Sequence, residues 1–444
     1  VTRATIAGGA FATALVLLAL MVGYRSLQQN SVPATPVSPA ATPAGAAEAH
    51  PSFLYGRITT RGGGTYQGRL RWGGDQEAFW GDYFNGFKDE NVWATHAPRE
   101  RLVRQRWIMI FGIQIATREV EINLGRPFMA RFGDIARIEA LGRDVRVTLK
   151  SGTVFDLDRF AASDFDDGVR VWDGQRGVVD LDSVQILTIE LLPAPGPGAA
   201  PYRLNGTVRT RQGDFTGFVQ WNRKEEVGED ELDGRDVGGG ERSLRFDTIR
   251  SIARRSGDSS LVTLLDGREI VLSGAPEVGG DNRGMYVDDR RYGRVLISWD
   301  AFERVDFSPG GSGPAYGEFP PGRPLTGSVT TRAGRRLAGR LVFDLDESET
   351  TETLDAPSQG VDFTIPFGLI ASIVLPGPEE RGVRVSLHSG EELQLERAGD
   401  LGAGNPGLLI FVEGRQHPEY VQWSEVQQIG FDRPPAMYPP SAAP

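Results

Sequence analysis

One set of phrases is written three times in this chain. GRITTRGGGTYQGRLRW runs from Gly56, GTVRTRQGDFTGFVQW from Gly206 and GSVTTRAGRRLAGRLVF from Gly327. Each is followed by a second shared phrase: FGDIARIEAL from Phe132, FDTIRSIARR from Phe246 and FGLIASIVLP from Phe367. A third then recurs: VRVTLKSGTVFDL from Val145, LVTLLDGREIVL from Leu261 and VRVSLHSGEELQL from Val383. Three phrases in one order, three times over, fix a tandem architecture before any other reading of the residues. At 444 residues the chain has the length of about three ordinary domains, which agrees with the repeat.

The repeated phrases read as β structure. Ile58 and Thr60, then Tyr66, Gly68, Leu70 and Trp72, alternate with polar neighbours around a glycine-rich turn, which predicts a half-buried hairpin. Val145, Val147 and Leu149 and then Val154, Phe155 and Leu157 predict a second hairpin around Ser151–Gly152. Asp266–Gly267 and Ser389–Gly390 are its counterparts, and such dipeptides suit tight turns. The spacing of Phe132, Ile135 and Ile138 by three allows a short helical turn leading into a strand. Each copy then closes with further strands, at 169–172 and 178–189 in copy one. The two halves of a copy also look alike, each having a hairpin and then an apolar residue at every third position. Six half-repeats would each suit a small barrel of SH3-like or Sm-like size, or the halves would pair into one sandwich; the pattern leaves both open. The expected fold class is all-β: three tandem β-rich modules, of small-barrel or sandwich type and each of two similar halves, after one N-terminal transmembrane helix.

The N-terminal expectation rests on Ala4 to Tyr24, 21 residues without charge between Arg3 and Arg25. A bilayer-spanning helix needs about 20 apolar residues, and a signal-peptide core about 7–15. Residues 1–25 are therefore expected to be a membrane anchor or signal segment. The Ala47–Glu48–Ala49 pattern, far beyond the apolar run, leaves cleavage and secretion as the alternative. A Pro/Ala-rich linker is expected over 26–52, β modules over 53–192, 202–308 and 323–432, and a disordered tail over 433–444. The β modules are expected in the periplasm or extracellular space.

Composition excludes several functions. With 59 acidic against 48 basic residues the net charge is −11, which disfavours a nucleic-acid binder. Without cysteine there is no disulfide framework, thiolate metal site or thiol nucleophile. His50, His96, His388 and His417 have no metal-ligand spacing and share no repeat position. Acidic stretches follow each first hairpin: Asp75, Glu77 and Asp82; Glu225, Glu226, Glu229, Asp230, Glu231 and Asp233; Asp344, Asp346, Glu347 and Glu349. Oxygen clusters of this kind suit calcium, but none fits a twelve-residue calcium loop, so solvated acidic loops are expected. No metal, catalytic or cofactor residues are assigned. Trp72, Trp221 and Phe343 recur at a strand end, where an aromatic plugs a core. Arg61, Arg211 and Arg332 recur at hairpin tips, where pairing with a neighbouring module is expected.

Copy one breaks the pattern. Between Trp72 and Phe132 lie 59 residues, against 24 and 23 in the other copies. This insertion, expected over 85–127, holds a basic cluster in an acidic chain: Arg99, Arg101, Arg104 and Arg106 beside Trp107. These five residues are the candidate partner surface; for the segment as a whole, an extra strand buried under copy one is the favoured reading, since Ile113–Ile115 and Val120–Ile122 alternate well. The expected function is a non-catalytic cell-envelope interaction or structural protein, with an envelope protein or glycan as partner and the membrane reached through the N-terminal helix. The alternatives are a carbohydrate-binding exported protein, calcium-assisted or not, and then a glycan-active hydrolase.

Overall fold

The computed structural model describes residues 50–98, 103–110, 113–121, 127–161, 163–195, 203–309, 311, 313–377 and 382–435. The apolar run at the N-terminus lies outside the described residues, and among them no helix is long and apolar enough to cross a membrane. The chain is nearly all β, in several antiparallel sheets.

Copy two shows the arrangement most simply. In chain order its strands are Asn205–Thr210, Gly213–Gln220, Glu231–Arg235, Glu241–Arg245, Ile249–Arg254, Ser259–Leu264, Glu269–Ser273, Met285–Asp289, Gly293–Ile297 and Phe302–Phe307. In space they run fourth, third, seventh, sixth, fifth, tenth, first, second, eighth, ninth. The same central eight-strand order recurs in copy one, between Tyr55 and Leu191, and in copy three, between Thr326 and Phe431. In each copy the fifth and tenth strands lie side by side at the centre. The two halves have exchanged hairpins. The first two strands pair with the eighth and tenth, and the sixth pairs with the fifth while the seventh faces the third. Neither half is therefore a barrel of its own, and the ten strands interlock.

Close strand approach explains recurring glycines. A Cβ on Gly56 or Gly206 would stand 2.5 or 2.6 Å from the carbonyl oxygen of Glu190 or Asp306 on the tenth strand, and Gly327 meets Gly430 in the same way. At the tips, Gly152, Gly267 and Gly390 have φ of 89°, 88° and 98°, which a side chain tolerates poorly. The phrase around Phe132 is a short helical turn, Phe132–Asp134, running into the strand Ile135–Leu141, and copies two and three repeat it at Phe246–Thr248 and Phe367–Leu369. Trp72, Trp221 and Phe343 are fully buried core residues, as their recurrence predicts. Trp72 packs against Phe84 and Phe132, and Trp221 against Phe302 and Trp299.

The three copies are not joined alike. The fourth strand of copy three, Val361–Pro366, pairs with the ninth strand of copy two, from Arg294↔Thr364 to Ile297↔Val361, so one sheet crosses that boundary. Copies two and three also share one apolar core. Copy one has a separate core, which takes in Phe218 of copy two and Tyr316 and Phe319 of the segment linking copies two and three.

Candidate interaction surface

The insertion of copy one grows out of a hairpin that every copy has. Tyr83–Phe87 pairs with Pro127–Arg131, the positions of the third and fourth strands, and the extra residues lengthen the connection between them. Within that connection Val103–Ile110 and Ile113–Glu121 form a second hairpin, with Arg104 opposite Val120, Arg106 opposite Arg118 and Trp107 opposite Thr117. Among the described residues this pair belongs to no other sheet, so it is an arm of two strands rather than an extra strand added to the sheet of copy one. Of the five residues assigned to the partner surface, Arg104, Arg106 and Trp107 lie on Val103–Ile110, while Arg99 and Arg101 lie outside the described residues.

The stem leading to the arm is braced on copy three. Lys88 Nζ donates to Asp346 Oδ1 at 2.7 Å and to Glu352 Oε1 at 3.2 Å, all three being largely out of water. Burial alone would pull the Lys88 ammonium down, but Glu352, Asp346 and Glu347 outweigh it and hold the group above its usual range. Further along, Trp93 stacks edge-on against Phe411 and lies under the Arg340 guanidinium. Trp93 and Ala97 cover the buried side chains of Val342, Leu345 and Leu409. The sequence pointed to the arm by its charge but gave no sign of Lys88 and Trp93, because both act through residues more than 200 positions away.

The acidic segments are corrected by the structure. They are solvated only in part, Glu229, Glu231 and Asp233 being exposed. Glu77, Asp82, Glu225, Glu226, Asp344, Asp346 and Glu349 are all buried. Each segment folds back on its own strand end, through the bridges Trp72↔Gln76, Trp221↔Glu225 and Phe343↔Glu347. In each a carboxylate then caps two backbone N–H groups: Asp82 those of Glu77 and Ala78, Asp230 those of Glu226 and Val227, and Glu352 those of Ser348 and Glu349. The burial follows from this shape, since the fold-back places the segment where the copies meet. Burial, then neighbouring carboxylates, raises Glu347 well above the usual range, and burial, then Glu277, raises Glu225 to about 7. Among the described residues no group of three or more carboxylates or histidines is arranged to hold a metal ion.

The hairpin-tip arginines are corrected too. Arg61 donates to the Ala140 carbonyl, Arg211 faces Glu303 at 4.0 Å, and Arg332 donates to the carbonyls of Ser424 and Pro376. All of these partners lie in the arginine's own copy. A tip that curls over the start of the tenth strand is within reach of a guanidinium, and a neighbouring copy is not needed.

No protein-family model matches this chain, and neither the curated proteins nor the solved structures contain a significant match.

Proposed function

We propose that this is a non-catalytic interaction or structural protein of the cell envelope: three tandem β modules behind an N-terminal membrane segment, facing the periplasm or extracellular space. The partner contact is assigned to the arm of copy one, with Arg99, Arg101, Arg104, Arg106 and Trp107 as its recognition residues. The supporting observation is the stem. Buried ion pairs from Lys88 and the packing of Trp93 hold the base of a hairpin that pairs with nothing else among the described residues. A connection serving only to link two strands needs neither the extra length nor the bracing. Copies two and three make the same connection in a few residues. A basic arm on a chain of net charge −11 selects an acidic partner surface.

The test is capture of envelope proteins by the full chain carrying Arg101→Glu, Arg104→Glu and Arg106→Glu together. Captured partners should fall at low salt, and the difference from wild type should shrink as salt rises. Wild-type capture at low salt would remove the arm from the partner surface.

A further inference from the structure

Copy one meets copy two through charged side chains that are out of water. Asp82 and Glu226 are each 1% exposed. Arg203 donates to the Trp80 carbonyl at 2.8 Å, and its guanidinium lies 3.6 Å from Glu226. Arg294 lies 3.3 Å from Asp288 and 3.9 Å from Asp82. Two buried guanidinia are thus divided among three buried carboxylates. Of the remaining charges that face the pair, Glu77 is taken by Arg69, and Arg71 is partly exposed. Tyr83 and Tyr286 cover the Arg294 guanidinium at 4.6 and 4.2 Å, so water does not complete its shell from that side. Glu226 Oε1 is buried and accepts no hydrogen bond. A buried carboxylate oxygen without a donor is costly when ionised and cheap when its group is neutral.

We propose that Asp82 and Glu226 hold a proton between them when the seam is closed, so that copy one packs tightly on copy two in mildly acidic surroundings and loosens as the pH rises. Tyr316 and Phe319, seated in the core of copy one, keep it attached when the charged seam opens. The electrostatics agree with this geometry. Burial, opposed by Arg203 and Arg294, pushes Asp82 up to about 6. Burial and then Asp82 itself push Glu226 well above the carboxylate range. A carboxylate whose value is raised in the closed state binds protons there that it loses in the open state. Closing is therefore favoured at low pH and weakens as pH climbs from the ordinary carboxylate value through about 6 and beyond. For Asp82 alone, the rise from 3.8 to about 6 corresponds to roughly a hundredfold in the closing equilibrium.

Amide hydrogen exchange on the full chain, corrected for intrinsic rates, tests this. Residues 76–82 and 203–206 report on the seam, and the ladder at 328–330, wholly inside copy three, is the internal reference. From pH 5 to pH 8, seam protection should fall by at least about tenfold relative to the reference, which is the share of Asp82 alone over that window. Glu226→Gln should keep the seam protected at pH 8. The proposal is overturned if seam protection is unchanged or higher at pH 8, or if Glu226→Gln retains the wild-type pH dependence. Should Glu226→Gln lose the 328–330 protection at pH 5, Asp82→Asn replaces it, since the Asn side-chain oxygen still accepts from Glu77 and Ala78. A neutral isostere should fit a seam that carries a proton, so failure of both variants to fold at pH 5 also overturns it.

Discussion

The two kinds of joint in this molecule differ in what they ask of the solvent. Copies two and three are fused by a backbone ladder and a common apolar core. Backbone hydrogen bonds and apolar side chains do not titrate, and the charged contacts at this joint, such as Arg291 to Glu391, lie at its partly exposed edge. Copy one, besides the apolar contacts of Phe218, Tyr316 and Phe319, is fastened by ionisable groups: Asp82, Glu226, Arg203 and Arg294 on one side and Lys88, Asp346 and Glu352 on the other. A ladder is hard to weaken without unfolding its strands. A buried charge cluster is stable only while every member has its partner or its proton.

The comparison breaks most visibly at Lys88. Lys88→Met leaves Asp346 and Glu352 buried without their cation and should cost about 3–5 kcal/mol at pH 8. Burial raises Glu352 and raises Glu347 well above its usual range. Both therefore take up protons more readily as pH falls, and the cost should be smaller at pH 5. Urea unfolding of the full chain at the two pH values measures the difference, and an equal cost at both would mean that these carboxylates are ionised throughout.

Phe363→Ala is the counterpart on the other joint. Phe363 is buried at the crossing sheet, against Phe215 and Tyr292. Its truncation should cost about 3 kcal/mol, with the same value at pH 5 and pH 8. A pH-dependent cost would show that the ladder joint also depends on titrating groups. The smallest effect is expected at the hairpin tips. Gly152→Ala, Gly267→Ala and Gly390→Ala each place a side chain at positive φ with open space around it, so strain alone acts, at about 1 kcal/mol. The three costs should be nearly equal by thermal unfolding. A cost in copy one far below the others would show that copy one unfolds separately from the rest.

The parts of this fold that were legible in the sequence are those set by local pattern. Alternation predicted the hairpins, and the Ser–Gly and Asp–Gly dipeptides marked their tips. The spacing around Phe132 anticipated the short turn before the strand. The exchange of hairpins was not legible, because similarity between halves says which segments are alike and not which strand pairs with which. The acidic stretches were misread for a related reason. A run such as Asp344, Asp346, Glu347 and Glu349 states its charge, but its burial depends on Lys88 and Thr153, which lie in another copy. The arm was found by composition alone, since four arginines in an acidic chain are conspicuous wherever they fold.

The interlocked halves also set the order in which a copy is completed. Its first strand, Tyr55–Thr60, is flanked on one side by Thr65–Trp72 and on the other by Ile186–Leu191, the last strand of the same copy. A chain emerging from the ribosome or a translocation channel therefore keeps one edge of its opening hairpin bare until the whole copy has been delivered. Non-local pairing of this kind slows folding, and the waiting edge is a template for any other strand that arrives first. Copies two and three repeat the delay, and the ninth strand of copy two waits again for Val361–Pro366 of copy three. Such a chain gains from a chaperone that shields strand edges while it is being made, and is most exposed to misassembly with its own kind before its last strand is in place.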